Sequence, residues 1–238
     1  MRLSSPLLAI WMALLLAGCQ SQVPRDTAVK QTGFRIDDLA KSDIDLVAEI
    51  TVRQSRDYLQ QLAAKLYKRN PAQLRRGGYG GNAEAVAREL MDAPGKAMRA
   101  PWLGKRSADL ITLGFEEDYP GDRVAALIYG LRSMLSDAYG GERNFYLNHE
   151  YDPQKIYYLA RNLEIADWRL RNSRDAQGRL YLLSVGQDAD GVVNASFERL
   201  VGKLVALQDH FAQVVADGSN RRIKNVIQSV ATAVFFPI

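Results

Sequence analysis

Two carboxylates three residues apart are the side chains of this sequence best placed to do chemistry. Glu164 and Asp167 lie in a segment of helical periodicity, so they share one face of the predicted helix. Three aromatic residues, Tyr157, Tyr158 and Trp168, are close along the same helix. Because glycosidases use two carboxylates, one hypothesis is an acid–base pair that acts on a glycan such as peptidoglycan.

The same two carboxylates have basic neighbours at helical spacing. Arg161 precedes Glu164 by three residues, and Arg171 follows Asp167 by four. Oppositely charged residues at these spacings commonly form ion pairs on a helix surface. We therefore favour the pairs Arg161 with Glu164 and Asp167 with Arg171 over a catalytic role. The Glu-Ser motif of lytic transglycosylases is also missing from this segment.

His149 is the third candidate for catalysis or metal binding. It lies in the sequence Asn148-His149-Glu150-Tyr151-Asp152, the densest cluster of potentially ligating groups in the chain. Neither a His-Glu-x-x-His motif nor another spaced ligand set accompanies it, so we expect no metal and no cofactor. The chain also lacks Gly-x-Ser-x-Gly, which argues against a serine nucleophile. These observations weigh against an enzyme.

Helices are expected to position these residues. Apolar residues recur at a spacing near 3.6 from Ser42 to the stop at Asn70-Pro71, and Asp152-Pro153 begins a second strong helix. Residues 180–185 form a short apolar run that offers at most one short β-hairpin. Gly218-Ser219-Asn220 is expected to end one helix, and a last helix that carries Ile223 and Val234 is expected to follow. The sequence predicts a mostly α fold, a single compact domain of about seven or eight helices over residues 42–238.

The first 18 residues have the features of an export signal. A short start with one charge, Arg2, precedes an apolar run from Leu7 to Ala17. About 20 apolar residues are needed to span a bilayer, so this run is too short to be a membrane helix. The charged start, apolar core and small residues at its end predict a secretory signal peptide over residues 1–18.

The end of this run, Leu16-Ala17-Gly18-Cys19, resembles the lipobox of bacterial lipoproteins at all four positions. The resemblance implies cleavage before Cys19, lipidation of its sulfur, and a flexible tether over residues 19–41. Since Gln20 is not the Asp that retains lipoproteins at the inner membrane, it also implies the periplasmic face of the outer membrane. Cys19 is the only cysteine, so the mature domain has no internal disulfide.

Charge is distributed unevenly along the chain. The formal net charge is +4; residues 65–106 hold ten Lys or Arg against three Asp or Glu, and residues 107–152 hold three against nine. The two segments could face each other or form separate solvated faces. Alternatively, the basic segment could contact acidic lipid headgroups or an acidic partner. With an envelope location, we expect no nucleic acid partner.

Three functional hypotheses follow from these observations. The first is a non-enzymatic accessory or scaffold, anchored in the membrane through Cys19, that binds another component of the cell envelope, most simply a protein. The second is a glycan-acting enzyme that uses Glu164 and Asp167. The third is a helical domain that binds a lipid or small ligand in an apolar cavity. The sequence ends on Phe235-Phe236-Pro237-Ile238, which either packs into the fold or docks on a partner.

The lipobox resemblance makes a direct prediction. Changing Cys19→Ala removes the sulfur that would carry the lipid, so an uncleaved or mislocalised precursor is expected. Fractionation of cells and comparison of the electrophoretic mobility with that of the unchanged chain measure both effects. Normal processing and normal membrane localisation of the variant would show that the lipobox assignment is wrong.

Overall fold

The structure is a computed structural model that describes residues 43–92, 102, 104–141, 150–184, 195–219 and 234–238. These residues belong to one contiguous unit, Leu39–Ile238. Seven α-helices lie in the described ranges, and the prediction of a mostly α fold is confirmed. They are α1 (Asp43–Arg69), α2 (Pro71–Arg76), α3 (Ala83–Asp92), α4 (Ser107–Gly114), α5 (Arg123–Ala138), α6 (Pro153–Asn172) and α7 (Ser196–Ser219).

Helix α5 is enclosed on nearly all of its faces. It begins at Asp122, whose carboxylate accepts hydrogen bonds from the main-chain N–H groups of Val124 and Ala125 at 2.9 and 3.0 Å. Such a cap satisfies two donors that the first turn would otherwise leave unpaired. Twelve of its sixteen residues are buried, and it packs against α1, α3, α4 and α6. An amphipathic stripe alone would not require this many covering helices.

Small residues let α4 and α5 approach closely. A Cβ atom added at Gly130 would lie 2.9 Å from the main-chain oxygen of Ser107, closer than real Cβ contacts come. The two helices are also tied by polar contacts, because the Ser107 hydroxyl donates to Asp137 at 2.6 Å. At the opposite end of α4, the guanidinium of Arg123 donates to the carbonyl of Gly114 at 2.7 Å.

The second close helix pair is α6 with α7, and α1 packs against α3, α5 and α7. The residues between these helices form one apolar core. Tyr139 at the end of α5 stacks on Phe211 of α7, with ring centroids 5.4 Å apart. No helix among the described residues is both long and apolar enough to cross a membrane.

The run from Leu180 forms a single β-bridge to Arg174, and the N–H of Tyr181 donates to the carbonyl of Ser173 at 3.2 Å, in agreement with at most one short β-hairpin. Another expectation from the sequence differs from the structure in detail. Val234, expected at the end of a last helix, is non-helical and 59% exposed. The remainder of that predicted helix (221–233) and Ser42, at the start of the first predicted helix, lie outside the described residues.

Replacing each of two glycines in helix interiors by alanine is expected to change stability in opposite directions. Gly130→Ala inserts a methyl group against the main chain of α4, and we expect it to lower the free energy of unfolding by about 1–3 kcal/mol. Gly202→Ala in α7 is the matched control, because a Cβ there meets nothing within 4 Å. Alanine forms helix better than glycine, so this change should stabilise by up to about 1 kcal/mol. Urea unfolding of both variants measures the two signs; stabilisation by Gly130→Ala would contradict the packing described.

Candidate functional site

Helix α6 carries the carboxylates proposed for catalysis and holds them in a defined register. Asp152 caps its start by accepting a hydrogen bond from the N–H of Gln154 at 2.9 Å, and Pro153 occupies the first helical position. Proline is favoured there because an N–H group at this position would have no hydrogen-bond partner within the helix, so its absence costs nothing. Four apolar residues face the core at helical spacing: Leu159, Leu163, Ala166 and Leu170.

Glu164 and Asp167 are held in ion pairs. Arg161 lies 3.5 Å from the carboxylate of Glu164 and 2.6 Å from that of Asp209 on α7. Arg171 lies 2.6 Å from Asp167. Both pairs expected from the helical spacing are present. The contact to Asp209 was not expected, because it depends on the packing of α7 against α6 rather than on sequence spacing.

Burial controls the protonation of these carboxylates. Partial burial raises the pKa of Glu164 above its usual value, and the neighbouring Arg161 opposes that shift. Burial likewise raises the pKa of Asp167, opposed by Arg171 and reinforced by the negative charge of Glu198. One oxygen of Asp167 is buried and has no hydrogen-bond partner among the described residues. Holding Asp167 in its charged form therefore depends on Arg171.

The space beside Asp167 is far too small for a sugar. The cavity that it borders has a volume of about 10 Å³ and is otherwise lined by apolar side chains such as Leu163 and Leu170. A single water molecule needs roughly 10–15 Å³ measured in this way, and ligand pockets usually exceed about 300 Å³. The arrangement of Glu164 and Asp167 thus supports ion pairing and helix packing.

The candidate His149 lies outside the described residues, but its neighbours point in different directions. Glu150 is exposed, whereas Tyr151 is buried and donates a hydrogen bond to Asp45 of α1 at 2.9 Å. Asp152 serves as the helix cap. Within the described ranges, no group of three His, Cys, Asp or Glu side chains could hold a metal ion.

A different face of α6 binds the last residues of the sequence. Asn162 has no exposed surface, and its side-chain amide makes two hydrogen bonds to the main chain of Phe236. Its Nδ2 donates to the Phe236 carbonyl at 3.0 Å, and its Oδ1 accepts from the Phe236 N–H at 2.7 Å. A buried amide is costly unless it is hydrogen-bonded, so these contacts account for an asparagine on this face.

Aromatic contacts flank the Asn162 amide on both sides. The rings of Tyr158 and Phe236 stack with centroids 5.1 Å apart and planes within 7°. The guanidinium of Arg169 lies 4.8 Å from the centre of the Phe235 ring, within the range of a cation–π interaction. The apolar end of the sequence is thus packed against the fold, one of the two expectations for it.

Sequence reasoning did not identify Asn162. The available signal was a polar residue placed three after Leu159 and four before Ala166, inside an apolar stripe. A second asparagine acts similarly: the amide of Asn70 accepts from the N–H of Leu183 at 2.8 Å and donates to its carbonyl at 2.9 Å. Each asparagine thus pairs the main chain of one residue in an irregular segment, Leu183 or Phe236.

A buried carboxylate lies at the start of α5. Tyr67 of α1 donates its hydroxyl to Asp122 at 2.6 Å, and burial raises the pKa of Asp122 to about 6 in spite of that hydrogen bond. Nearby, an open cleft of about 560 Å³ is lined by Tyr67, Leu74 and the Gly80–Asn82 turn. Two residues that line this cleft, Lys68 and Glu84, form an ion pair in which Nζ lies 2.5 Å from Oε1.

No protein family model matches this chain, and comparisons with curated proteins and with solved structures find no similar protein. The function is therefore inferred from the chemistry of the chain's own residues.

The dependence of Asp167 on Arg171 predicts a loss and a rescue. Arg171→Met leaves a carboxylate that is 10% exposed without its cation, so we expect the free energy of unfolding at pH 7 to fall by about 1–3 kcal/mol. The loss should shrink as the pH falls, because the raised pKa lets Asp167 take up a proton in the folded state before it does so in the unfolded chain.

The double variant Asp167→Asn/Arg171→Met should recover most of that stability, since no buried charge remains. Urea unfolding at several pH values measures both effects. An Arg171→Met loss that is independent of pH and unaffected by Asp167→Asn would contradict the structural role assigned to this pair.

Proposed function

We propose that this protein is a lipid-anchored, non-enzymatic scaffold of the bacterial outer membrane that binds an acidic surface of another envelope protein. The anchoring part of the proposal rests on the lipobox resemblance at Cys19. The binding part is carried by one observation, the exposed arginines Arg69, Arg75 and Arg76 at the ends of α1 and α2. We call these three residues the arginine surface.

The arginine surface forms no ion pair with an acidic side chain among the described residues. The carboxylate of Glu84 is paired with Lys68, and that of Asp122 is buried and bonded to Tyr67, although the charge of Arg76 opposes the rise in the pKa of Asp122. Cations are favoured at helix C-termini, because the helix dipole attracts positive charge there. Three exposed arginines within eight residues of sequence and without an ion pair favour an external anionic partner, which the electrostatic attraction would also steer into contact.

The glycan-hydrolase hypothesis receives less support from the geometry. Its two carboxylates are paired with Arg161 and Arg171, and the cavity at Asp167 has no room for a sugar. The small-ligand hypothesis requires an enclosed apolar cavity. The cleft of about 560 Å³ beside the Lys68–Glu84 ion pair is open and therefore is not a cavity of that kind.

In-cell crosslinking of the full chain, followed by affinity purification and mass spectrometry, tests the proposed role. We expect one dominant envelope protein at near-equal stoichiometry. Arg69→Gln/Arg75→Gln should lower its recovery several-fold, because two of the charges that attract it are removed. The matched control Lys155→Gln/Arg199→Gln removes two exposed charges from α6 and α7 and should leave recovery unchanged.

Two outcomes would contradict the proposal. Absence of any reproducible partner would argue against a scaffold. Equal loss of the partner in both double variants would show that overall charge, rather than the arginine surface, governs the association.

A further inference from the structure

We propose that Tyr158, Asn162 and Arg169 form a binding site for an extended peptide segment with adjacent aromatic residues, supplied by another protein. Residues 235–238 of this chain fill the site in the structure and are replaced when the foreign segment binds. This inference deepens the proposed binding role by assigning a second contact, on a different part of the molecule from the arginine surface.

The site is one continuous face of α6. Tyr158, Asn162, Ile165 and Arg169 follow each other at spacings of four, three and four residues, which places them in a row along the helix. Ile165 is buried although it does not belong to the main core cluster. The row combines an aromatic ring, an amide, an aliphatic side chain and a cation.

The amide of Asn162 recognises main chain rather than a particular side chain. It donates to the carbonyl and accepts from the N–H of the same residue, Phe236. This is the pattern by which two antiparallel strands exchange hydrogen bonds. Any extended segment presents the same two groups, so the clamp fixes the conformation of a ligand and leaves its sequence to other contacts.

The aromatic contacts supply the selectivity. Tyr158 offers a flat ring for stacking, as it does with Phe236, and Arg169 offers a cation above a second ring, as it does with Phe235. Stacking and cation–π attraction both require an aromatic side chain at the matching position. The ligand class is therefore an extended segment carrying two consecutive aromatic residues.

The segment that fills the site is held only partly. Val234 and Pro237 are exposed, and Phe235 and Phe236 are half-buried. Asn162, in contrast, is completely buried, and both of its hydrogen bonds go to Phe236. If the segment leaves, the amide loses both partners, which is unfavourable for a buried polar group. The site consequently requires an occupant, while its present occupant is only partly enclosed: Phe235 and Ile238 pack against the core but keep exposed surface.

A fluorescent peptide with the sequence acetyl-Val-Phe-Phe-Pro-Ile tests the site directly. It is titrated into the purified full chain in phospholipid nanodiscs, and binding is followed by fluorescence anisotropy. In the unchanged chain the peptide competes with a tethered copy at an effective concentration on the order of millimolar, so binding should be weak. Phe235→Ala/Phe236→Ala weakens that copy and should tighten peptide binding at least about tenfold.

Two further changes are made in the Phe235→Ala/Phe236→Ala background. Asn162→Ala removes the clamp and should weaken the peptide at least about tenfold. Asn172→Ala is the matched control, because Asn172 is an exposed asparagine of the same helix whose side chain donates to the carbonyl of Trp168 within α6. It should leave binding unchanged, and the peptide acetyl-Val-Ala-Ala-Pro-Ile should bind to none of the variants.

Three results would overturn the proposal. The first is that the unchanged chain and the Phe235→Ala/Phe236→Ala variant bind the peptide with equal affinity. The second is that Asn162→Ala and Asn172→Ala lower the affinity for the peptide by the same factor. The third is a concentration-dependent dimer that disappears in Phe235→Ala/Phe236→Ala, since it would assign the site to a second copy of this chain.

Hydrogen exchange on the unchanged chain keeps the test valid if a variant fails to fold. Excess peptide should speed exchange of the Phe236 amide and leave the amides in the middle of α6 protected. No change at Phe236 would overturn the proposal. Because these measurements use one purified protein, they are independent of whether crosslinking in cells finds a partner at the arginine surface.

Discussion

The enclosure of α5 is the constraint on which the other helices depend. With twelve of sixteen residues buried, this helix needs neighbours on nearly every face, and α1, α3, α4 and α6 supply them. Close contact requires small residues, and Gly130 permits it against α4. The main-chain N–H groups at the buried start of α5 also need hydrogen-bond acceptors, and the carboxylate of Asp122 accepts from two of them. The same carboxylate accepts a third hydrogen bond from the hydroxyl of Tyr67. Burial of that carboxylate raises its pKa, so the cap has an energetic cost near neutral pH.

Irregular segments pose the opposite difficulty, because they carry main-chain groups with no helix or sheet to pair them. Asn70 and Asn162 solve it in the same way, each binding the N–H and the carbonyl of one residue. At Leu183 this contact joins a turn to α1, and at Phe236 it joins the last residues of the sequence to α6. A side-chain amide thus takes the place of a neighbouring strand in a fold whose described part contains a single β-bridge.

Helix α6 separates its tasks by face. One face packs into the core through Leu159 and Leu163, and another carries Arg161, which joins α6 to α7 through Asp209. The row containing Asn162 binds the extended segment. The carboxylates that first suggested catalysis, Glu164 and Asp167, are paired with arginines of α6 itself. Burial raises the pKa of each carboxylate, and the adjacent arginine opposes that rise.

The sequence alone determined the mostly α class, the bounds of α1, the proline-initiated start of α6, and both ion pairs within α6. These features depend on neighbours within about one helical turn, whose spacing is fixed before the chain folds. The tertiary structure decided which polar residues bind across the fold: Arg161 with Asp209, Tyr67 with Asp122, and Asn162 with Phe236. Asn162 and Phe236 are 74 residues apart, and only the packing of the intervening helices brings them together. The apolar residues around Asn162 could be recognised in the sequence, but its partner could not, because no local spacing relates Asn162 to Phe236.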